Sequence, residues 1–302
     1  ISPSEIVFAG VGKSDREIEE AINADIFCFN CESQPEIEVI NHLAALQNKT
    51  ASIALRINPL IDAHTHKYIT TGIEESKFGI NTWELEEILV KLQEMKNIRL
   101  TGIHFHIGSQ ITRMSVFKVL CSRINELHEW FATRGAELKI INIGGGLAID
   151  YENPDSAPKF DEYFSLVREF VDIKPGQELH FEPGRSVVGQ CGTLISRVLY
   201  VKKGSKTLFA ILDAGMTDLI RPALYQAFHK IENLSSDGTG FHYDVVGPVC
   251  ESTDTFGKFV ELPETRRGDL IAIRSAGAYG ESMASRYNLR DLPGAVFSDD
   301  LR

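Results

Sequence analysis

Long apolar runs are absent from the 302 residues: no stretch reaches the about eighteen residues that a membrane-spanning helix needs. Basic clusters are absent too. Lys and Arg number 31 against 42 Asp and Glu, a formal net charge of −11, so nucleic acid is not an expected partner. Cysteine is scarce and odd in number (five), which excludes a disulfide framework and points to free thiols in a reducing compartment, the cytoplasm. No internal repeat or low-complexity stretch occurs, and the start, Ile1-Ser2-Pro3-Ser4-Glu5, has neither the charged nor the apolar region of a signal peptide. It leads straight into an apolar strand, as a chain that begins inside a fold would. What remains is globular composition, 43% apolar and 24% charged, at a length suited to two domains of about 150 residues.

Up to about residue 190, apolar strands alternate with helical patterns. The strands read as Ile6–Ala9, Ile26–Asn30, Ser52–Ile57, Leu100–His106, Leu138–Ile143 and Glu178–Phe181. Helices are expected over Asp15–Asn23 behind a Ser14 cap, Glu36–Gln47, Trp83–Met95, Val116–Thr133 and Phe160–Val171. Strands apolar throughout and separated by helices imply a parallel sheet covered on both faces. An eight-stranded barrel needs eight such units and a doubly wound sheet needs fewer; periodicity leaves both open. After residue 190 the texture becomes β-rich, with strands expected over Leu194–Val201, Thr207–Leu212, Tyr243–Val246, Lys258–Leu262 and Asp269–Arg274, and a helix over Arg221–Phe228. This gives domains at 1–190 and 191–302.

Polar residues gather where three apolar strands end: His104-Phe105-His106-Ile107-Gly108-Ser109-Gln110, Gly144-Gly145-Gly146, and Glu182-Pro183-Gly184-Arg185. In α/β folds, sites lie at the carboxyl ends of strands. Three glycines after a buried strand let backbone N–H groups approach an anion, and with Ser109 they read as a phosphate pocket; a tight turn is the plainer reading. Glu182 could hold a heterocyclic nitrogen protonated, and Arg185 could grip a carboxylate; the alternative is a local salt bridge between the two. His104 and His106 share one face of the expected strand. A metal would need a third ligand, such as Asp213 or His242, with no supporting spacing, so His106 fits better as an imidazole stacked on a flat cofactor ring.

Two tempting patterns fall away. Gly10-Val11-Gly12-Lys13-Ser14 resembles the end of a phosphate-binding loop, but Val7 stands where that motif needs its first glycine. Cys28 and Cys31 form a C-x-x-C with no second pair, and read as two strand cysteines. The β-rich part has its own candidates: Arg221 and Tyr225 one helical turn apart, Cys250 beside Glu251 in a loop, and Tyr279 between small residues.

In order and over the whole chain, the three strand-end runs, Arg221-Pro222-Ala223-Leu224-Tyr225 and Cys250-Glu251-Ser252 resemble the diaminopimelate decarboxylases, pyridoxal-phosphate enzymes of the alanine-racemase-like barrel class. The last two runs favour diaminopimelate over ornithine or arginine. The resemblance implies a (β/α)8 TIM-like barrel, here lacking its first two strands, followed by a C-terminal β domain, and a homodimer with shared active sites. It implies that His106 stacks on the pyridoxal ring, Glu182 pairs with its nitrogen, and Ser109, Gly144, Gly145 and Gly146 bind its phosphate beside Arg185 and Tyr279. Arg185, Arg221 and Tyr225 are implied to hold substrate carboxylates, with Tyr279 near. Cys250 of the partner subunit is the implied proton donor, and Glu251 reads the distal amino group. The implied reaction is loss of CO2 from meso-2,6-diaminopimelate to give L-lysine. Alternatives are a related decarboxylase for carboxynorspermidine or a basic amino acid, or a non-catalytic remnant that only binds the cofactor.

One departure stands out. The family holds its cofactor on a lysine in a Tyr-Ala-x-Lys-Ala-Asn setting, and no such segment occurs. Lys13 follows the first strand of this chain and Lys77 lies in the loop before Trp83; neither matches. The 302 residues are therefore expected to be inactive by themselves.

Overall fold

The computed structural model describes residues 1–61 and 77–301. They form two compact units, one of Ile1–Leu147 with Lys159–Pro183 and one of Ala148–Pro158 with Gly184–Arg302. In the first unit, strands β1 (Val7–Phe8), β2 (Cys28–Cys31), β3 (Ala51–Asn58), β4 (Ile80–Asn81), β5 (Ile98–His104), β6 (Ile140–Asn142) and β7 (Glu178–His180) alternate with helices α1 (Asp15–Asn23), α2 (Gln34–Leu46), α3 (Leu85–Glu94), α4 (Met114–Thr133) and α5 (Phe160–Phe170). The strands lie in the order β1-β2-β3-β5-β6-β7, all parallel, with β4 beside the end of β3. This is a parallel half-barrel, the barrel-type sheet that the resemblance implies.

Local chemistry sets these elements. Ser14 accepts the Glu17 N–H while the Glu17 carboxylate returns to the Ser14 N–H at 2.9 Å, a reciprocal cap that starts α1. Ser33 caps α2 by accepting the Glu36 N–H, with Pro35 in its first turn. Helix α4 buries Phe117, Leu120, Cys121, Ile124 and Leu127, the three-and-four spacing of one helical face. Every residue of β3 but one is buried, as a strand covered on both faces requires.

The structure departs from the sequence reading in places. The helix expected from Trp83 begins at Leu85, behind a 3-10 turn over Thr82–Glu84. Strand β5 ends at His104, two residues early, so His106 lies beyond it and the two histidines do not share a strand face. The physical cause is Gly144, whose backbone comes against the Phe105 carbonyl and the His106 Cα. Strand β4, too short to show a period, was not expected. A buried acid makes it: Glu32 takes the Gly79 N–H at 2.9 Å and the Arg56 guanidinium at 2.6 Å, while Arg56 lies over the Phe78 ring.

Lys13 is equally committed. Its ammonium donates to the Gly10 and Asn30 carbonyls and to Glu36 at 2.5 Å, with the side chain 1% exposed. The glycines before it thus serve a structural lysine.

The second unit holds helices α6 (Arg185–Val188) and α7 (Arg221–Tyr225) and strands β8 (Leu194–Lys203), β9 (Leu208–Leu212), β10 (Ile231–Asn233), β11 (Gly240–Val246), β12 (Thr255–Pro263) and β13 (Leu270–Ile273). The strand order is β10-β13-β8-β9-β11-β12, antiparallel except where β9 meets β11. Helix α7 stops at Tyr225, three residues before its expected end, because Gln226 turns to a left-handed φ of 53°. Val198, Leu212, Tyr243, Val245 and Ile271 form the centre of a separate core.

Glu32 and Arg56 are buried partners, so removing one strands the other charge. Glu32→Ala is expected to cost about 3–5 kcal/mol. Both tryptophans, Trp83 and Trp130, lie in the first unit, so their fluorescence in a urea titration reads that loss directly.

Candidate active site

In the first unit, the loops after β5, β6 and β7 touch backbone to backbone. A Cβ at Gly144 would lie 2.0 Å from the Phe105 carbonyl oxygen, at Gly145 2.3 Å from that of Glu182, and at Gly146 2.6 Å from that of Gly108. Gly144 and Gly146 also take positive φ, 74° and 109°. The glycines are therefore demanded first by loop packing, which draws Ser109, His106 and Glu182 to one end of the sheet.

Glu182 is the best-defined side chain there. Its Oε1 accepts from the Asn30 and Asn142 amides, each at 2.9 Å, and its Oε2 faces His104 Nε2 at 3.2 Å. Asn142 is oriented for this: its carbonyl oxygen accepts the Gly144 N–H at 2.9 Å, turning the amide nitrogen toward Glu182. Burial pushes the Glu182 carboxyl up, but His104, Asn142 and His106 outweigh it and hold the pKa at about 2. The group is an anion, held at Oε1 by two amides and faced at Oε2 by His104. His104, 1% exposed, makes no aligned hydrogen bond at either ring nitrogen among the described residues.

His106 is half-buried. Burial, then the charges of Arg56 and His104, push its pKa down to about 4 against the pull of Glu182. Gly145 donates its N–H to His106 Nδ1 at 3.3 Å, so the neutral ring carries its proton on Nε2. A neutral ring of fixed orientation and an ionised acid fit pyridoxal 5′-phosphate, whose ring needs a flat partner and an anion.

The second unit carries the cationic candidates. Arg185 opens α6 and Arg221 opens α7; both are buried, and both donate to the Tyr151 hydroxyl oxygen, at 2.6 and 2.8 Å. Arg185 also lies over the Tyr279 ring, 5.0 Å from its centre. Tyr225 is the last residue of α7.

Cys250 and Glu251 are exposed on the loop Gly247–Asp254. Asp254 knots that loop by accepting the Met216 and Val249 N–H groups at 2.6 and 2.7 Å. Glu251 accepts from the Tyr287 hydroxyl and from Thr253.

Sequence reasoning missed Asn30, Asn142, Arg56, Tyr151, His229 and Tyr287. The first three sit at or next to the carboxyl ends of strands, a position that could have marked them. Tyr151, His229 and Tyr287 carry no local pattern.

Residues 1–189 match the pyridoxal-dependent decarboxylases over their pyridoxal binding domain, which gives the class. Within it, the chain belongs to the diaminopimelate decarboxylase family. It is 58% identical to the diaminopimelate decarboxylase of Bacteroides thetaiotaomicron over 300 residues, 99% of this chain and 78% of that protein. The Aquifex aeolicus enzyme of that name is 40% identical over 302 residues, 99% of this chain and 71% of that one. Among solved structures, the Helicobacter pylori diaminopimelate decarboxylase complexed with L-lysine superposes with a TM-score of 0.90 at 41% identity, covering 95% of this chain and 72% of that one.

The two depressed imidazoles give a pH prediction. His229, in the second unit, is also pushed down to about 4, chiefly by burial. The ordinary value is 6.5, so between 6.5 and 4 the unfolded chain binds more protons than the folded one. Stability is full above about pH 6.5 and falls as pH drops toward 4. Nitrogen-15 NMR at pH 5.5 is expected to show both rings neutral, with His229 protonated on Nδ1.

Proposed function

We propose that the protein converts meso-2,6-diaminopimelate to L-lysine and CO2 with pyridoxal 5′-phosphate, in the cytoplasm, as a homodimer. The observation that carries this is Glu182, an ionised carboxylate held by two amides and facing His104, beside a neutral, oriented imidazole. The 58% identity to a diaminopimelate decarboxylase supports the substrate. So do the L-lysine complexes of the Helicobacter pylori and M. jannaschii relatives. The five free thiols support a reducing compartment.

When bound, the cofactor supplies an electron sink for the pair released as CO2 departs. This chain's residues do the rest. Glu182 keeps a proton on the pyridine nitrogen, as only an anion placed against it can. His106 stacks on the ring face and, being neutral, does not oppose that proton. Ser109 and the backbone of Gly144, Gly145 and Gly146 receive the phosphate, with Arg185 and Tyr279. Arg185, Arg221 and Tyr225 hold the substrate's carboxylates. Cys250 hands a proton to the carbon that has lost CO2, and Glu251 reads the distal ammonium. The exposure of both on one loop supports their serving the partner subunit's site. Residues 1–190 then form the cofactor-binding domain and 191–302 the β-rich domain.

The test is made on the protein loaded with pyridoxal 5′-phosphate. CO2 and L-lysine are expected from meso-2,6-diaminopimelate, with kcat/KM at least about a hundredfold above those for arginine, ornithine and carboxynorspermidine. Glu182→Gln, which keeps the shape and removes the charge, is expected to lower kcat by about a hundredfold or more. Absence of product from meso-2,6-diaminopimelate overturns the proposal.

Residues 1–302 by themselves are proposed to hold the cofactor without a covalent link. The support is Lys13, whose ammonium is spent on two carbonyls and Glu36, and the absence of the family's lysine setting. Borohydride treatment followed by mass spectrometry is expected to find no lysine of this chain carrying the cofactor.

A further inference from the structure

Arg185 and Arg221 are only 6% and 5% exposed, yet both donate to one uncharged oxygen, the Tyr151 hydroxyl, at 2.6 and 2.8 Å. Burying two like charges side by side is costly unless something offsets them. Burial and the Arg185 charge push the Arg221 pKa down, while Tyr151 and Tyr225 pull it up. A carboxylate in place of Tyr151 would cancel the charge. A phenol oxygen accepts two N–H groups and adds no charge of its own.

Tyr151 is itself held. Its segment, Ala148–Pro158, is anchored within the second unit: Gln190 donates to the Pro154 and Ser156 carbonyls at 2.7 Å, and Arg274 pairs with Asp155 at 2.5 Å. The Tyr151 ring packs edge-on against His229 at 5.0 Å. His229 gives its Nδ1 proton to the Arg274 carbonyl at 2.8 Å, since a carbonyl can only accept. Nε2 is then an acceptor for Arg221 at 2.9 Å. Arg221 therefore meets two neutral acceptors whose positions are fixed from behind.

We infer that Tyr151 is a positioning residue: its hydroxyl oxygen sets Arg185 and Arg221 side by side as a two-armed cationic clamp for a substrate carboxylate. The inference rests on the proposed reading of the two arginines as carboxylate holders, and goes beyond it in naming what aligns them. A hydroxyl that merely stabilised the fold would affect every ligand alike. A clamp aligner affects only ligands that carry the carboxylate.

The experiment compares L-lysine with cadaverine, the same diamine without its carboxylate, by calorimetric titration of the protein loaded with pyridoxal 5′-phosphate. Tyr151→Phe keeps the ring against His229 and removes only the oxygen. It is expected to weaken L-lysine by about tenfold and leave cadaverine unchanged. Equal weakening of both, or of neither, overturns the inference. Arg221→Met separates the two layers. If it abolishes the preference for L-lysine while Tyr151→Phe does not, positioning by Tyr151 fails and the reading beneath it stands. If Arg221→Met leaves the preference intact, or the unsubstituted protein shows none, that reading fails.

Discussion

The arrangement in the first unit depends on three backbone contacts with no room for a side chain. Gly144 meets the Phe105 carbonyl, Gly145 that of Glu182, and Gly146 that of Gly108. Each contact joins the loop after β6 to a neighbouring strand's loop. Main-chain hydrogen bonds secure the same joints: Glu182 N–H to the Gly144 carbonyl at 2.8 Å, and Ile111 N–H to that of Gly146 at 2.9 Å. The glycines thus act first as the joints between the loops, and the Gly144 and Gly145 N–H groups go on to orient Asn142 and His106.

That locking makes an ionised Glu182 affordable in a part-buried place. A carboxylate without partners there would take up a proton. Two amide donors on one oxygen and an imidazole facing the other reverse the balance, and all come from strand ends: Asn30 from β2, His104 from β5 and Asn142 from β6. Asn142 also spends its carbonyl oxygen on Gly144, so the glycine loop and the acid share one hinge.

The parallel sheet and its helices were legible because their signals are local and repeated: caps, apolar periods and strand-length runs. Glu182, His106, Ser109 and the glycines were legible because they fall at strand ends in one linear motif each. What stayed hidden is pairwise in space and far apart in sequence. Asn30 meets Glu182 across 152 residues, and Tyr151 meets Arg221 across 70. Strand β4 lies next to a contact in which Glu32 reaches Gly79 across 47 residues. The sequence reading erred where a tertiary contact cut an element short: β5 at Gly144, and α7 at the left-handed Gln226.

The two units solve opposite electrostatic problems by one rule, and the choice of partner in each follows from what the charge must do. Glu182 has to remain an anion through any change in its surroundings, so it is given donors, two of them amides that carry no charge of their own. Arg185 and Arg221 both donate to the Tyr151 hydroxyl, and Arg221 also to the His229 ring, acceptors that carry no charge of their own. Lys13 and Arg56 show the contrast. Each is buried against a carboxylate, Glu36 or Glu32, and each holds the fold through that pair.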